Sequence, residues 1–192
     1  SEQIQREKKD EIANLKDEKL IDLFIRHGLE ITIRRIKEDL SDLGIVFDRF
    51  QYESDLINSG LSQKVIEDLK EKNALVDREG ALWFCSKEYS DLSDRESVLV
   101  RSDSEKSLTY FASDIAYHKD KFDRKFDRLI DIWGANHHGH IERLKASLKS
   151  LGYDSGKLDI ILYQNVRLKK NGETKQMGKR LGNFINISDL LN

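Results

Sequence analysis

Between residues 105 and 163 the apolar residues change period repeatedly, and that change constrains the fold more than any other feature of this chain. Residues 110–122 carry helical spacing, Leu129, Ile130, Ile132 and Trp133 form a short apolar strand, and Ile141, Leu144, Leu148 and Leu151 return to helical spacing before Gly152 closes the run. Residues 158–163 are a second apolar strand. Helix, strand, helix, strand is the rhythm of a parallel sheet with helical crossovers, so the predicted fold class is α/β. Such sheets bind ligands at the carboxyl ends of their strands, which singles out the turn after Trp133.

The residues before 105 read differently. Ile12, Leu15, Leu20, Leu23 and Phe24 predict a charged amphipathic helix that continues past Gly28 through Ile31, Arg34, Arg35 and Glu38 and stops at Gly44. Ile45, Phe47 and Phe50 predict an extended segment, and Ser62 an N-cap for a short helix carrying Val65, Ile66 and Leu69. Residues 75–84 predict a hairpin turning over 77–80, and 98–100 a strand. Polar turn material at 91–97 and 102–106 places a soft boundary near residue 105, between a helical and hairpin region, 1–104, and the α/β region, 105–192. After residue 163 come an apolar stretch at 166–168, a turn at Asn171 and Gly172, a basic loop over 174–183 and a helix capped by Ser188. A helix that opens at Ser188 and stops at Asn192 has too few residues to stand alone, so the chain is expected to be part of a longer one.

Composition sets limits on partners. Hydrophobic residues make up 38% of the chain, enough for a core, and 33 basic side chains nearly cancel 35 acidic ones. Net charge by itself therefore predicts no nucleic-acid partner. No apolar run reaches the roughly 18 residues of a membrane span, so no membrane partner is expected. The single cysteine, Cys85, cannot form an internal disulfide, and a reducing cytoplasm is the expected location.

Three segments carry chemistry. Tyr110 and Asp114 lie one turn apart on one helix face, where a carboxylate beside a phenol can hold a planar guanidinium by charge-assisted hydrogen bonds and discriminate against an ammonium. Taken alone, the pair fits a surface tyrosine beside a solvated aspartate better. In the turn over 134–140, Gly134 would let the backbone approach a ligand, Asn136 could hydrogen-bond ribose hydroxyls, and the following helix N-terminus favours an anion. His137, His138 and His140 invite a metal reading, but Cys85 has no cysteine partner and the spacing lacks a further ligand, so no metal site is expected. His27 and His118 read as structural or exposed. The loop Lys175-Gln176-Met177-Gly178-Lys179-Arg180-Leu181-Gly182-Asn183 suits either a solvated basic loop or a phosphate-seeking one acting electrostatically.

The order and spacing of these segments resemble the arginyl-tRNA synthetases, class I enzymes with a Rossmann-type catalytic fold. The run from Thr109 to Phe122 is similar to that family's arginine-binding helix, Trp133-Gly134-Ala135-Asn136-His137-His138-Gly139 to its nucleotide-binding turn, and Gln176-Met177-Gly178-Lys179-Arg180 to its KMSKS-type loop. Upstream, 43–48 and 80–84 also match. The resemblance implies the C-terminal half of the class I catalytic domain, preceded by a helical and hairpin insertion. It implies that Tyr110 and Asp114 bind the guanidinium of L-arginine and that His137 faces the substrate. Gly134, Asn136, Gln176, Met177, Gly178 and Lys179 would bind ATP, with Lys179 the catalytic residue. The implied reaction activates arginine with ATP, magnesium accompanying the nucleotide, and transfers it to the 2′-hydroxyl of tRNA(Arg).

The sequence departs from the family pattern at Asn136, where an acid is usual, at Gln176, where a lysine is usual, and at Gly178 in place of serine. Asparagine can hydrogen-bond hydroxyls but brings no charge, which puts ribose recognition in question. No HIGH-type motif and no helical anticodon-reading domain occur, so the chain alone is expected to lack aminoacylation. Two other readings stay open: a class I synthetase or nucleotidyl transferase with another substrate, and a non-catalytic interaction module that keeps the fold.

Overall fold

The computed structural model describes residues 17–85, 97–164, 169–170 and 173–174. Contacts divide the chain into two compact units, one of residues 1–50 with 169–192 and one of residues 51–168.

In the first unit a long helix, α1 (Asp17–Asp42), runs through Gly28, where Thr32 Oγ1 donates to the Gly28 carbonyl at 2.7 Å. Its end is set by Gly44, whose φ of +74° suits a residue without Cβ. Gly44 N then donates to Ser41 O and Ile45 N to Leu40 O, which satisfies the last carbonyls in a Schellman arrangement. Residues 45–50 join no sheet: the Ile45 amide closes the helix and the two phenylalanines pack locally. Phe47 meets Phe50 edge-on, and Lys37 Nζ sits 4.6 Å from the Phe50 ring centroid.

The second unit opens with α2 (Glu53–Asn58), a helix the sequence reading passed over, and α3 (Leu61–Glu71). Gly60, left-handed at φ 73°, is the N-cap of α3. Ser62 is therefore not the cap: it lies inside the first turn, buried, and among the described residues its Oγ finds no partner. The expected hairpin forms from β1 (Leu75–Arg78) and β2 (Ala81–Phe84), turning on Glu79 and Gly80, both at positive φ. The strand β3 (Ser97–Val100) adds antiparallel to β2.

From β3 the chain passes to α4 (Tyr110–Asp123), β4 (Leu129–Gly134), a 3₁₀ turn (Ala135–His137), α5 (His138–Ser150) and β5 (Leu158–Tyr163). The strands β4 and β5 pair in parallel, Leu129 opposite Leu158 through Gly134 opposite Tyr163, with α5 as the crossover. The α/β rhythm is thus realised. Helix α5 starts at His138, so the residues read as a turn over 134–140 already include its first residues.

One core joins these elements. Leu69 of α3, Leu99 of β3, Ile115 of α4, Leu144 and Leu148 of α5 and Leu158 of β5 are fully buried together. Each contributes about 1.5–3 kcal/mol relative to exposure. This core draws on residues from both sides of residue 105. Burial alternates along β4. Leu129 and Asp131 are buried, whereas Ile130 and Ile132 lie on the other face, 54% and 68% exposed. Among the described residues no helix is long and apolar enough to cross a membrane.

Candidate functional site

Helix α4 is held at its start by the sheet. Thr109 precedes it in extended conformation, its amide donates to Leu99 O at 2.9 Å, and its hydroxyl donates to Val98 O at 2.7 Å. The hydroxyl that would ordinarily cap the helix instead ties it to β3. Tyr110 and Asp114 consequently stand one turn apart beside the end of β4, Tyr110 being 65% exposed.

Gly134 ends β4. A Cβ there would come within 2.8 Å of Asn136 Oδ1, so the position has no room for a side chain unless Asn136 moves. The 3₁₀ turn then brings Asn136 and His137 to the mouth of a cavity of about 460 Å³. Tyr110 and Asp114 line the same cavity, so four of the residues singled out in sequence meet in one place. His140 and Arg143 of α5 complete the wall.

His140 is the member that sequence reading left without a role. Its ring is buried, with Nε2 3.0 Å from Asp114 Oδ2 and Nδ1 accepting from Arg143 Nε at 2.7 Å. The rings of Tyr110, Phe111 and Trp133 surround it at centroid distances of 6.2, 5.2 and 5.5 Å. The i, i+3 spacing of His140 and Arg143 on one helix was the available signal. The exposed His138 belongs to neither this cavity nor the next, so the three histidines do not converge.

A neighbouring cavity of about 350 Å³ shares Asp114, His137 and His140 and reaches Gly134, with Asp131, His118 and Lys121 at its wall. His118 Nδ1 faces the Asp114 carbonyl oxygen at 2.7 Å and its Nε2 faces Asp131 Oδ2 at 2.5 Å. Lys121 Nζ donates to Asp131 Oδ1 at 2.6 Å. Burial alone would raise the Asp131 pKa, but the hydrogen bonds and charges of His118 and Lys121 outweigh it and hold the carboxyl below the usual carboxylate range. His118 is buried and bridges α4 to β4, and the period-two pattern that buries Asp131 with Leu129 was the sequence signal for its partner.

Gln176, Met177, Gly178 and Lys179, with the other residues of 175–183 and Ser188, lie outside the described residues.

The family model described as tRNA synthetases class I (R), catalytic domain, matches residues 1–192. The chain belongs to the class I arginyl-tRNA synthetase family. Among its relatives, arginine–tRNA ligase 1 of Halalkalibacterium halodurans is 41% identical over 182 residues, which is 95% of this chain and 32% of the relative. Arginine–tRNA ligase of Bacillus subtilis is 39% identical over the same length. The chain thus spans about a third of these synthetases. A solved arginyl-tRNA synthetase structure from Campylobacter jejuni superposes with a TM-score of 0.79 at 34% identity, covering 98% of this chain and 40% of its own. The Thermus thermophilus arginyl-tRNA synthetase, at 20% identity and a TM-score of 0.60, shares the fold over 77% of this chain. Residues 110–163 accordingly supply α/β elements of a class I synthetase catalytic domain.

Proposed function

We propose that this chain forms the arginine- and ATP-binding part of a cytoplasmic arginine–tRNA ligase. The observation that carries the reading is the meeting of Tyr110, Asp114, Asn136 and His137 at one cavity beyond the carboxyl end of β4. Asp114 and the Tyr110 phenol hold the guanidinium, whose planar fork matches a carboxylate as an ammonium does not. His137 faces the bound amino acid. Gly134 admits the nucleotide to the backbone, and Asn136 hydrogen-bonds its ribose without a charge.

In this reading the arginine carboxylate attacks the α-phosphate of ATP and pyrophosphate leaves, giving arginyl-adenylate; the 2′-hydroxyl of the terminal adenosine of tRNA(Arg) then accepts the arginyl group, and AMP leaves. Gln176, Met177 and Gly178 approach the phosphates, and Lys179 stabilises the charge that develops on the departing pyrophosphate. Magnesium enters with the phosphates; among the described residues no group of three His, Cys, Asp or Glu side chains gathers to hold it. Acceleration rests on positioning and on charge stabilisation.

The test is ligand protection from thermal unfolding in the full-length protein. Arginine raises the melting temperature while lysine and citrulline do not, since only a ligand of the folded state stabilises it. Asp114→Asn removes the arginine effect, an affinity loss of about ten-fold or more for a charge-assisted pair, and leaves ATP protection intact. Equal protection by citrulline, or arginine protection that survives Asp114→Asn, defeats the reading.

A further inference from the structure

Asp114 is 42% exposed, and an open carboxylate on a helix samples several rotamers. What restrains it is His140. Arginine cannot act as an acceptor, so the 2.7 Å contact from Arg143 Nε makes Nδ1 of His140 the ring's lone-pair nitrogen. The proton is therefore on Nε2, and Nε2 donates to Asp114 Oδ2 across 3.0 Å. Turning the ring over would put carbon at both contacts. The enclosing rings of Phe111 and Trp133, and the Arg143 guanidinium 5.2 Å from the Phe111 centroid, hold that orientation.

We infer that His140, kept as its neutral Nε2-protonated tautomer by Arg143, is a positioning residue that orders the Asp114 carboxylate for a guanidinium ligand. The inference rests on the proposed role of Asp114. A carboxylate has about four lone-pair sites, and one donated hydrogen bond to Oδ2 leaves enough of them for a planar fork. Among the described residues no other side chain hydrogen-bonds the Asp114 carboxylate. The same aspartate is also restrained from behind, where its carbonyl meets His118 Nδ1 at 2.7 Å. Ordering the acceptor before the ligand arrives lowers the cost of binding, so its loss falls on arginine affinity and not on the nucleotide.

The experiment compares His140→Leu, His140→Gln and Asp114→Asn in the full-length protein, reading arginine and ATP dissociation constants by calorimetry together with thermal unfolding. His140→Leu weakens arginine binding about ten-fold with ATP affinity unchanged. His140→Gln, whose side-chain amide can donate near the Nε2 position, recovers most of that loss, which a merely space-filling role would not. If His140→Leu leaves arginine affinity unchanged, or if Gln and Leu weaken it equally, the positioning role is overturned. Asp114→Asn separates the two ideas. Should it leave arginine affinity intact, the substrate reading itself falls; should it abolish binding while His140→Leu has no effect, only the role of His140 falls. If His140→Leu does not fold, Arg143→Met applies the same test through the tautomer, with a several-fold loss supporting the inference and unchanged affinity overturning it.

Discussion

The imidazole of His118 on α4 lies 2.5 Å from the carboxylate of Asp131 on β4, and Lys121 meets the other oxygen of that carboxylate at 2.6 Å. A helix and the strand that follows it are thereby joined by charge inside the core, since the His118 and Asp131 side chains are only 4% and 7% exposed. The same histidine meets the backbone carbonyl of Asp114, so this buried cluster lies directly behind the proposed ligand-binding acid.

Asp131→Asn should destabilise the protein by about 3 kcal/mol, because removing one member of a buried charge cluster leaves the others without compensation. Acid unfolding should change with it. The folded pKa of Asp131 is held below its ordinary value of 3.8, so its contribution is complete above that value and is lost as pH falls through the lower folded one. Urea unfolding at pH 7 and below pH 4 checks this: the gap between wild type and variant should narrow in acid, and a constant gap would argue against the ion pair.

Gly134→Ala should reduce ATP affinity several-fold. Its φ of −66° accepts an alanine backbone, but the new methyl would lie 2.8 Å from Asn136 Oδ1 and push that side chain from the cavity. The double variant with Asn136→Ala tests the cause. It relieves the crowding, so thermal stability should return towards wild type while nucleotide affinity stays low.

Tyr110 is open to solvent, so Tyr110→Phe should change stability by no more than about 0.5 kcal/mol. Arginine binding should nevertheless weaken by about five-fold, the value of one hydrogen bond. Calorimetric titration with arginine distinguishes this from an inert surface tyrosine, for which the affinity would not move.

Tyr153 closes the loop after α5 onto the end of α4. Its hydroxyl donates to Asp123 Oδ1 at 2.7 Å and accepts from Lys119 Nζ at 3.0 Å, and its ring packs 5.0 Å from Phe122. Burial would lower the Lys119 pKa, but the hydrogen bonds that its amine donates to Asp123 and Tyr153 reverse this and keep it protonated. Tyr153→Phe should cost about 1 kcal/mol of stability, read from denaturant midpoints, and leave arginine and ATP affinities unchanged.

Much of this molecule was determined within short stretches of chain. The hairpin, the helix ends at Gly44 and Gly152, the order of elements from α4 to β5 and the shared face of Tyr110 and Asp114 all follow from periodicity, turn chemistry and i, i+4 spacing, which act between near neighbours. Only the tertiary structure decided that Ser62 would be buried rather than cap a helix, that Thr109 would anchor to Val98, and that His140, not its two neighbours, would reach Asp114. It also turned Asp131 inward to His118. These outcomes depend on how separate helices and strands pack, and a hydrogen bond between residues distant in sequence exists only once that packing has brought donor and acceptor within reach.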